Sequence, residues 1–479
     1  MKLTSKDYNM KQFKPYPEYK DSGVKWLGDV PRHWEVIKGK WLYKKMNRPV
    51  KTDDEVITCF RDGMVTLRKN RRLRGFTESI KEIGYQGIKK GDLVIHQMDA
   101  FAGAIGVSDS DGKGTPVYSV CQPKIPLNNF YYASVIKEMA RSEFILSLAK
   151  GIRERSTDFR FDTLASLNLP VPSFDEQNII SRYLKFKTAQ IAKFIKAKKR
   201  MIELLKEQKQ AIINDAVTGK IDVTTGKPYQ KYKDSGVKWL GQVPEGWKIL
   251  SIRRLTNFVK TGGTPKNSSD EHFSPNGFLW FTPGDLGNST YLKNSERHLS
   301  EIGIKDVRIF PENTIYFVGI GATIGKVGIC KDKASCNQQI NAMTINFRVI
   351  DEYFIYSLLS IKHYILKCGK FTTLPIINQE DMKQLKLLVP SQTEQNDIIK
   401  FINHQTQSIN ITISRIEREI SLMQEFRSRL ISDVVTGKID VRGIEVPEVS
   451  EESTTVDDLN SDDSDESSEN EVLDEKNDD

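Results

Sequence analysis

The chain has 479 residues and 38% apolar content, more than one ordinary core organises, and suits two domains with connecting elements. Its net charge of +8 conceals an asymmetry: residues 445–479 hold 16 acidic and one basic residue, so residues 1–444 carry +23, the electrostatic footprint of a polyanion partner, nucleic acid first. There is no basic-then-apolar N-terminal stretch and no run of about 18 uncharged apolar residues, which argues against export and against membrane spanning, and for a cytoplasmic protein.

Residues 1–18 read as an N-terminal extension, and Tyr19 to Gly28 then spells YKDSGVKWLG, followed by Pro31 and Trp34. The same ten residues return at Tyr232 to Gly241, with Pro244 and Trp247. Such repetition sets the architecture before any secondary structure is assigned. Residues 19–173 are predicted to form a first mixed α/β domain: Leu93-Val94-Ile95 and Ala104 to Val107 read as short strands between turn signals. Arg68, Lys69, Asn70, Arg71, Arg72 and Arg74 form one basic cluster in it, and Arg153, Arg155 and Arg160 a second. Clusters of this kind neutralise phosphates, and single arginines can fork onto guanine edges. A solvated basic loop is the plainer alternative.

Val171 to Ser173 spells VPS, with Glu176-Gln177 after it, and a long helix is expected to run to VTGKID at Val217 to Asp222. Its apolar positions are Ile180, Leu184, Ile191, Ile195, Ile202, Leu205 and Ile212, interrupted by Lys198 and Lys209, with Phe194, Met201 and Leu204 widening the face. Residues 174–231 are thus a first spacer helix and linker, and 232–391 a second mixed domain. There Thr261, Thr264, Lys266 and Asn267 belong to a glycine loop (TGGTPKN), Thr314 to Val318 and Val327 to Ile329 read as strands, and Gln338 and Gln339 offer amides suited to adenine. GIGATIGKVG at Gly319 to Gly328, which contains Thr323 and Lys326, is not a nucleotide loop. Only three residues separate Gly321 from Gly325, and Val327 follows the lysine.

VPS returns at Val389 to Ser391, Glu394-Gln395 follows, and a second helix carries Ile402, Ile409, Ile416, Met423 and Leu430 every seven residues, with Ile398, Ile413 and Ile420 between. That is the spacing of a coiled-coil seam. It ends near VTGKID at Val435 to Asp440, so residues 392–443 are a second spacer helix; Gly219 and Gly437 are the expected left-handed caps. About 44 residues at 1.5 Å each give rods of roughly 65 Å. Neither can bury its stripe alone. Two copies of one unit can sit about a pseudo-twofold axis, which makes the expected fold α+β: two mixed α/β domains separated by two long helices packed as an intramolecular antiparallel coiled coil. The alternative is that each helix packs on its own domain. Residues 444–479 read as a disordered acidic tail, which either solubilises the chain or competes with DNA for its basic body.

Cys59, Cys121, Cys330, Cys336 and Cys368 contain no C-x-x-C pair, and the six histidines lack metal spacing, so neither a disulfide framework nor a metal site is expected and the cysteines read as small apolar fillers. No dinucleotide fingerprint, H-E-x-x-H, nucleophile elbow or Asn-Pro-Pro-aromatic tetrad occurs, so no catalytic residue is expected.

The doubled box, the GGTP loop at Gly262 to Pro265, TIGKVG at Thr323 to Gly328, NQQI at Asn337 to Ile340 and the paired VPS-x-x-E-Q helices ending in VTGKID resemble the specificity subunits of type I restriction-modification systems over residues 19–441. The resemblance implies a non-catalytic DNA-binding subunit whose two target recognition domains read the halves of a bipartite site in double-stranded DNA, while the helices fix the spacer; if the two domains enter successive major grooves from one face of the duplex, the half-site centres should lie about one helical turn apart. It implies partners: two modification subunits, which bring S-adenosylmethionine and methylate adenine, and restriction subunits, which bring ATP-driven translocation and Mg²⁺-dependent cleavage. No cofactor is implied in this chain and no membrane. Two departures weaken the carry-over in the first half: MDAFAGAIGV at Met98 to Val107 stands against GIGATIGKVG, and Cys121-Gln122 against Asn337-Gln338-Gln339. A self-sufficient DNA-modifying enzyme and a coiled-coil scaffold without DNA binding are the alternatives.

Overall fold

The computed structural model describes residues 13–71, 83–148, 158–266, 270–287, 289–368 and 376–447. The acidic tail from Glu448 onward lies outside them. The chain divides into two compact units, residues 1–198 with 418–479, and residues 199–417. Among the described residues no helix is long and apolar enough to cross a membrane.

In the first unit a four-stranded antiparallel sheet has the order Tyr43–Lys45, Tyr118–Pro123, Leu93–His96, Ile105–Val107. In the second the order is Thr256–Thr261, Ile340–Ile345, Thr314–Val318, Val327–Cys330, with Tyr291–Leu292 added in parallel at the edge. The apolar runs picked out in the sequence are strands of these two sheets, and they are buried because each sheet packs against helices and loops: Ile315, Phe317, Ile329 and Met343 join Phe354 and Leu358 of the helix Asp351–Cys368 in one core. Cys59, Cys121, Cys330 and Cys336 are free and buried, and burial pushes the Cys59 and Cys121 thiols up to about 12.

The duplicated motifs converge on one kind of joint, built once in each unit. The box folds as a strand pair, Tyr19 against Pro31 in the first copy and Tyr232 against Pro244 in the second. Behind it Trp34 Nε1 donates to Glu176 Oε1 at 3.0 Å, Tyr16 donates to the same oxygen at 2.6 Å, and His33 meets the other oxygen at 2.9 Å. The second joint repeats this with Trp247 and Tyr229 on Glu394, at 2.9 and 2.7 Å. The neighbouring glutamines are spent on backbone: buried Gln177 bonds Pro172 O and Asn128 N, and Gln395 bonds Pro390 O and Ile350 N. Ser173 and Ser391 accept from the Glu176 and Glu394 amides at 3.3 Å, so each VPS-x-x-E-Q is a helix start whose glutamate grips the box.

The VTGKID ends complete the joints crosswise. Tyr19 donates to Gly437 O at the end of the second helix, and Tyr232 to Gly219 O at the end of the first, at 3.2 and 3.1 Å. Gly219 and Gly437 have φ of 70° and 78°.

Both predicted rods are 44-residue helices, Phe174–Val217 and Gln392–Val435. They run antiparallel: in the second unit Lys209 Nζ donates to Asn410 Oδ1 at 2.8 Å while Ile213, Ala216 and Val217 share a core with Ile398, Ile399 and Ile402. In the first unit Lys198 pairs with Glu419 at 2.7 Å. The two lysines that interrupt the first seam thus each make a polar cross-link to the other helix, the kind of contact that fixes register. Ile402, Ile409, Ile416, Ile420 and Leu430 are buried as the seam requires. Two expectations for the first helix fail. Met201 and Leu204 are 44% and 49% exposed, and Ile213 replaces Ile212 as the buried residue near the end, because there the helix turns its apolar side to Trp247 and Tyr353 of the sheet domain as well as to the other helix. Helix pairing and packing on the domain therefore coexist.

Burial lowers the Lys209 pKa, and its acceptor Asn410 is exposed. Lys209→Leu should stabilise the second unit by about 1 kcal/mol, since replacing a half-buried cation by an apolar side chain is often neutral or favourable, and a denaturant titration would show the midpoint rise. A midpoint falling by a comparable amount would make the lysine a net stabiliser.

Candidate nucleic-acid interface

Sheet register places three loops of the second unit at one end of its sheet. Thr261 lies opposite Asn341, Ile340 opposite Val318 and Phe317 opposite Val327, so the glycine loop after Thr261, the amide segment before Ile340 and residues 319–326 all leave the sheet on the same side. The glycine loop is pressed onto the amide segment: Gly263 N donates to Cys336 O at 2.9 Å and Gly262 N to Ile340 O at 3.2 Å. A Cβ on Gly262 would stand 2.5 Å from Cys336 Sγ and 2.6 Å from Asn337 O, which is why glycine is needed there. Burial raises the Cys336 thiol well above its ordinary range, so it acts as a neutral packing group under the loop.

On this floor Thr264 donates to Gln338 Oε1, Thr261 donates to Asn341 Oδ1 at 3.2 Å, and Asn337 Nδ2 donates to Gln339 Oε1 at 3.0 Å. Lys326 reaches Pro283 O at 3.3 Å, and the Lys266 amide bonds Asp306 at 3.2 Å. Thr264, Lys266 and Gln338 are exposed and Thr323 half-buried. The structure thus gathers Thr261, Thr264, Thr323, Lys326, Gln338 and Gln339 at one sheet end; Asn267 lies outside the described residues. Exposed amides and hydroxyls on a rigid floor with flanking cations suit base edges and phosphates.

A support missed in the sequence lies behind the loop. Trp280 Nε1 donates to Gly263 O at 3.1 Å, and Arg297 stacks 3.7 Å from the Phe273 ring and 5.6 Å from Trp280. These residues belong to a strand pair, Phe273–Phe281 with Arg297–Leu299, and no local motif marks them. Trp280→Phe removes one neutral hydrogen bond, about 1 kcal/mol. Amide exchange at Gly263 should quicken about fivefold; unchanged exchange would show that Trp280 does not hold the loop.

The first unit has the same end with different contents. Gln97 N donates to Val117 O and Phe159 N to Gln97 O, as Gly319 N does to Gln339 O and Ile377 N to Gly319 O in the second. Val94 pairs with Gly106 as Tyr316 does with Gly328. Two alignments of the halves are corrected by this. Met98 to Val107 matches Ile320 to Ile329, one position later than the sequence comparison set it, so that Phe101 and buried Ala104 stand where the second unit has Thr323 and Lys326. Cys121 is a core strand residue equivalent to Met343, and the counterpart of Asn337-Gln338-Gln339 is Thr115-Pro116-Val117.

The basic cluster of the first unit is largely engaged within its own domain. Lys69 pairs with Glu55 at 2.6 Å, Asn70 donates to Thr66 at 2.9 Å, and Arg68 Nε donates to Thr58 at 3.3 Å. Arg71 pairs with Asp62 and lies 4.6 Å over Phe60. Arg160 pairs with Asp158 and remains exposed. Arg72, Arg74, Arg153 and Arg155 lie outside the described residues. Arg61, isolated in the sequence and therefore overlooked, is 69% exposed and reaches Asp99 of the 97–104 loop at 3.2 Å.

Residues 244–422 match the sequence family described as the type I restriction modification DNA specificity domain. The putative type I restriction enzyme MjaX specificity subunit of Methanocaldococcus jannaschii is 20% identical over 87% of this chain and 96% of its own length. The MjaIX specificity subunit of the same organism is 27% identical over 34% of this chain, a match spanning 39% of that subunit. A chain solved in work on complex assembly and conformational transition of the type I restriction-modification system superposes with a TM-score of 0.59 at 10% identity, covering 85% of this chain and 98% of that one, and so shares the fold. In its doubled framework, its crosswise joints and these likenesses, the chain is similar to the specificity subunits of type I restriction-modification systems.

Proposed function

We propose that the chain is a non-catalytic DNA-recognition subunit that reads a bipartite site in double-stranded DNA, one half with the sheet-end loops of each unit, and directs adenine methylation and ATP-dependent restriction by partner subunits. The observation that carries this is the pairing of a repeated framework with unrepeated loops. Both units build the same joint on the same two helices, yet one sheet end offers Thr264, Gln338 and Lys326 and the other Phe101, Met98 and Arg61. A framework kept constant under changing loops is what independent reading of two half-sites needs. The helices then serve as the element that sets the spacer. S-adenosylmethionine belongs with two modification subunits, ATP and Mg²⁺ with restriction subunits, and the target adenine is flipped out for chemistry in the modification subunit.

Incubating the purified chain with labelled S-adenosylmethionine and duplex DNA, with and without the modification subunits, tests the assignment. Methyl transfer is expected only when the subunits are added. Transfer by the chain alone would favour a self-sufficient DNA-modifying enzyme instead.

A further inference from the structure

At the opposite end of the second unit's sheet, five residues of strand or about 17 Å from the base-reading loops, lies a shallow groove of about 470 Å³ lined by Leu250, Arg253, Arg254, Asn346 and Arg348. The short helix Ile252–Leu255 brings up two of the arginines just before the strand that ends at Thr261, and Asn346 and Arg348 follow the partner strand Ile340–Ile345. Asn346 locks the turn by donating Nδ2 to Arg254 O at 2.9 Å. All three arginines are exposed, and none has an ion pair among the described residues. Glu380, whose carboxyl pKa is lowered by Lys383 first and by Arg253 to a lesser degree, is already held by Lys383 at 2.5 Å. Beside them Phe347 is 77% exposed, with Arg348 4.7 Å from its ring.

The corresponding turn of the first unit has the same character. Lys124 N donates to Leu42 O there as Asn346 N does to Leu255 O. At that turn Trp41 is 63% exposed with Lys40 5.1 Å from its ring, Ile125 is 44% exposed, and Lys124 Nζ reaches Lys40 O at 2.7 Å. Cations beside an exposed large apolar side chain thus recur at one place in the fold while the sequence there has changed.

We infer that this turn is a docking surface for a protein partner, on the second unit an acidic segment with an apolar anchor that sets its carboxylates on Arg253, Arg254 and Arg348 and its anchor against Phe347, contributed by a modification subunit. Charge complementarity selects the acidic segment, and the exposed aromatic selects protein over phosphate, since a duplex backbone gives Phe347 nothing apolar to cover. Recurrence on both units matches a partner taken up twice. Lying away from the loops, the groove stays open when they hold DNA. The inference rests on the proposed function for the partner's identity.

The test is the full chain with Arg253→Glu, Arg254→Glu and Arg348→Glu together, titrated with purified modification subunits while the chain's own duplex affinity is measured separately. At least tenfold weaker uptake of one modification subunit is expected, so that complexes holding one rather than two accumulate, with duplex affinity within twofold of the parent. Phe347→Ser should weaken uptake in the same direction without altering charge. Unchanged uptake overturns the inference, as does a fall in duplex affinity, which would make the groove a phosphate site. Uptake unchanged while duplex affinity responds only when residues 445–479 are present would assign the groove to the acidic tail, again against the inference. If the parent chain itself takes up neither subunit nor duplex, the proposed function fails first, so the two failures are distinct.

Discussion

Gly437→Val is expected to loosen the first unit by about 2–6 kcal/mol. The residue has φ of 78° and a Cβ there would lie 2.7 Å from Pro31 Cγ and 3.0 Å from Trp34 Cη2. A β-branched residue in the left-handed region costs about 1–3 kcal/mol, and overpacking adds about 1–3 kcal/mol. The expected reading is faster amide exchange in the strand pair Glu35–Lys38 with Asn168–Val171, which hangs from this joint. Gly219→Val should do the same to Lys248–Ser251 with Lys386–Val389 in the second unit, where Pro244 Cδ stands 2.5 Å from the new Cβ. Gly443 supplies the control, since nothing lies within 4 Å of its Cβ position, and its valine variant should stay within about 0.5 kcal/mol of the parent. Equal effects at Gly437 and Gly443 would mean that the box does not clamp the helix end.

Gln338→Ala and Thr264→Ala are expected to relax selectivity at one half-site only. A bidentate amide on adenine is worth about 1–3 kcal/mol of discrimination, about 5- to 150-fold in relative affinity. Thr264 donates to Gln338 Oε1 and so presets the direction of the amide. Competition binding against duplexes altered in one half-site or the other would resolve the effect. Lys326→Ala should instead weaken binding to all duplexes and lessen its salt dependence, as loss of a phosphate contact does. Equal relaxation at both half-sites upon Gln338→Ala would contradict separate reading by the two units.

How far the sequence discloses these features follows from the range of the interactions behind them. The helices are legible because a seam repeats every few residues, so Ile402, Ile409 and Ile416 declare a buried stripe without any knowledge of the partner. The strands are legible from local apolar runs. The repeated motifs announce that something is built twice, but not what. That Trp34 and Tyr16 share Glu176 across about 140 to 160 positions, while Gly437 closes the joint from the far end of the chain, is long-range geometry that leaves no local trace. The same distance effect governs the candidate interface. Arg68 to Arg71 stood out by composition, yet Glu55, Thr66 and Asp62 meet these side chains from neighbouring strands and turns. Trp280 and Arg61 gain their roles only where the sheet carries them to a loop. The shift of one residue between the halves has a physical cause of its own: Gly103 and Gly325 occupy equivalent left-handed turns, with φ of 92° and 87°, and strand pairing fixes them in step.

In the proposed function, two dissimilar sets of loops read two half-sites and the helix pair sets the gap between them. Single-molecule methylome sequencing of cells carrying the chain and its partner subunits, before and after matched seven-residue deletions in both long helices, tests it most directly. Seven residues shorten a rod by about 10 Å, close to three base pairs. A bipartite methylated motif is expected whose spacer shrinks by about three positions while both half-sites are retained. Altered half-sites around an unchanged spacer would contradict it.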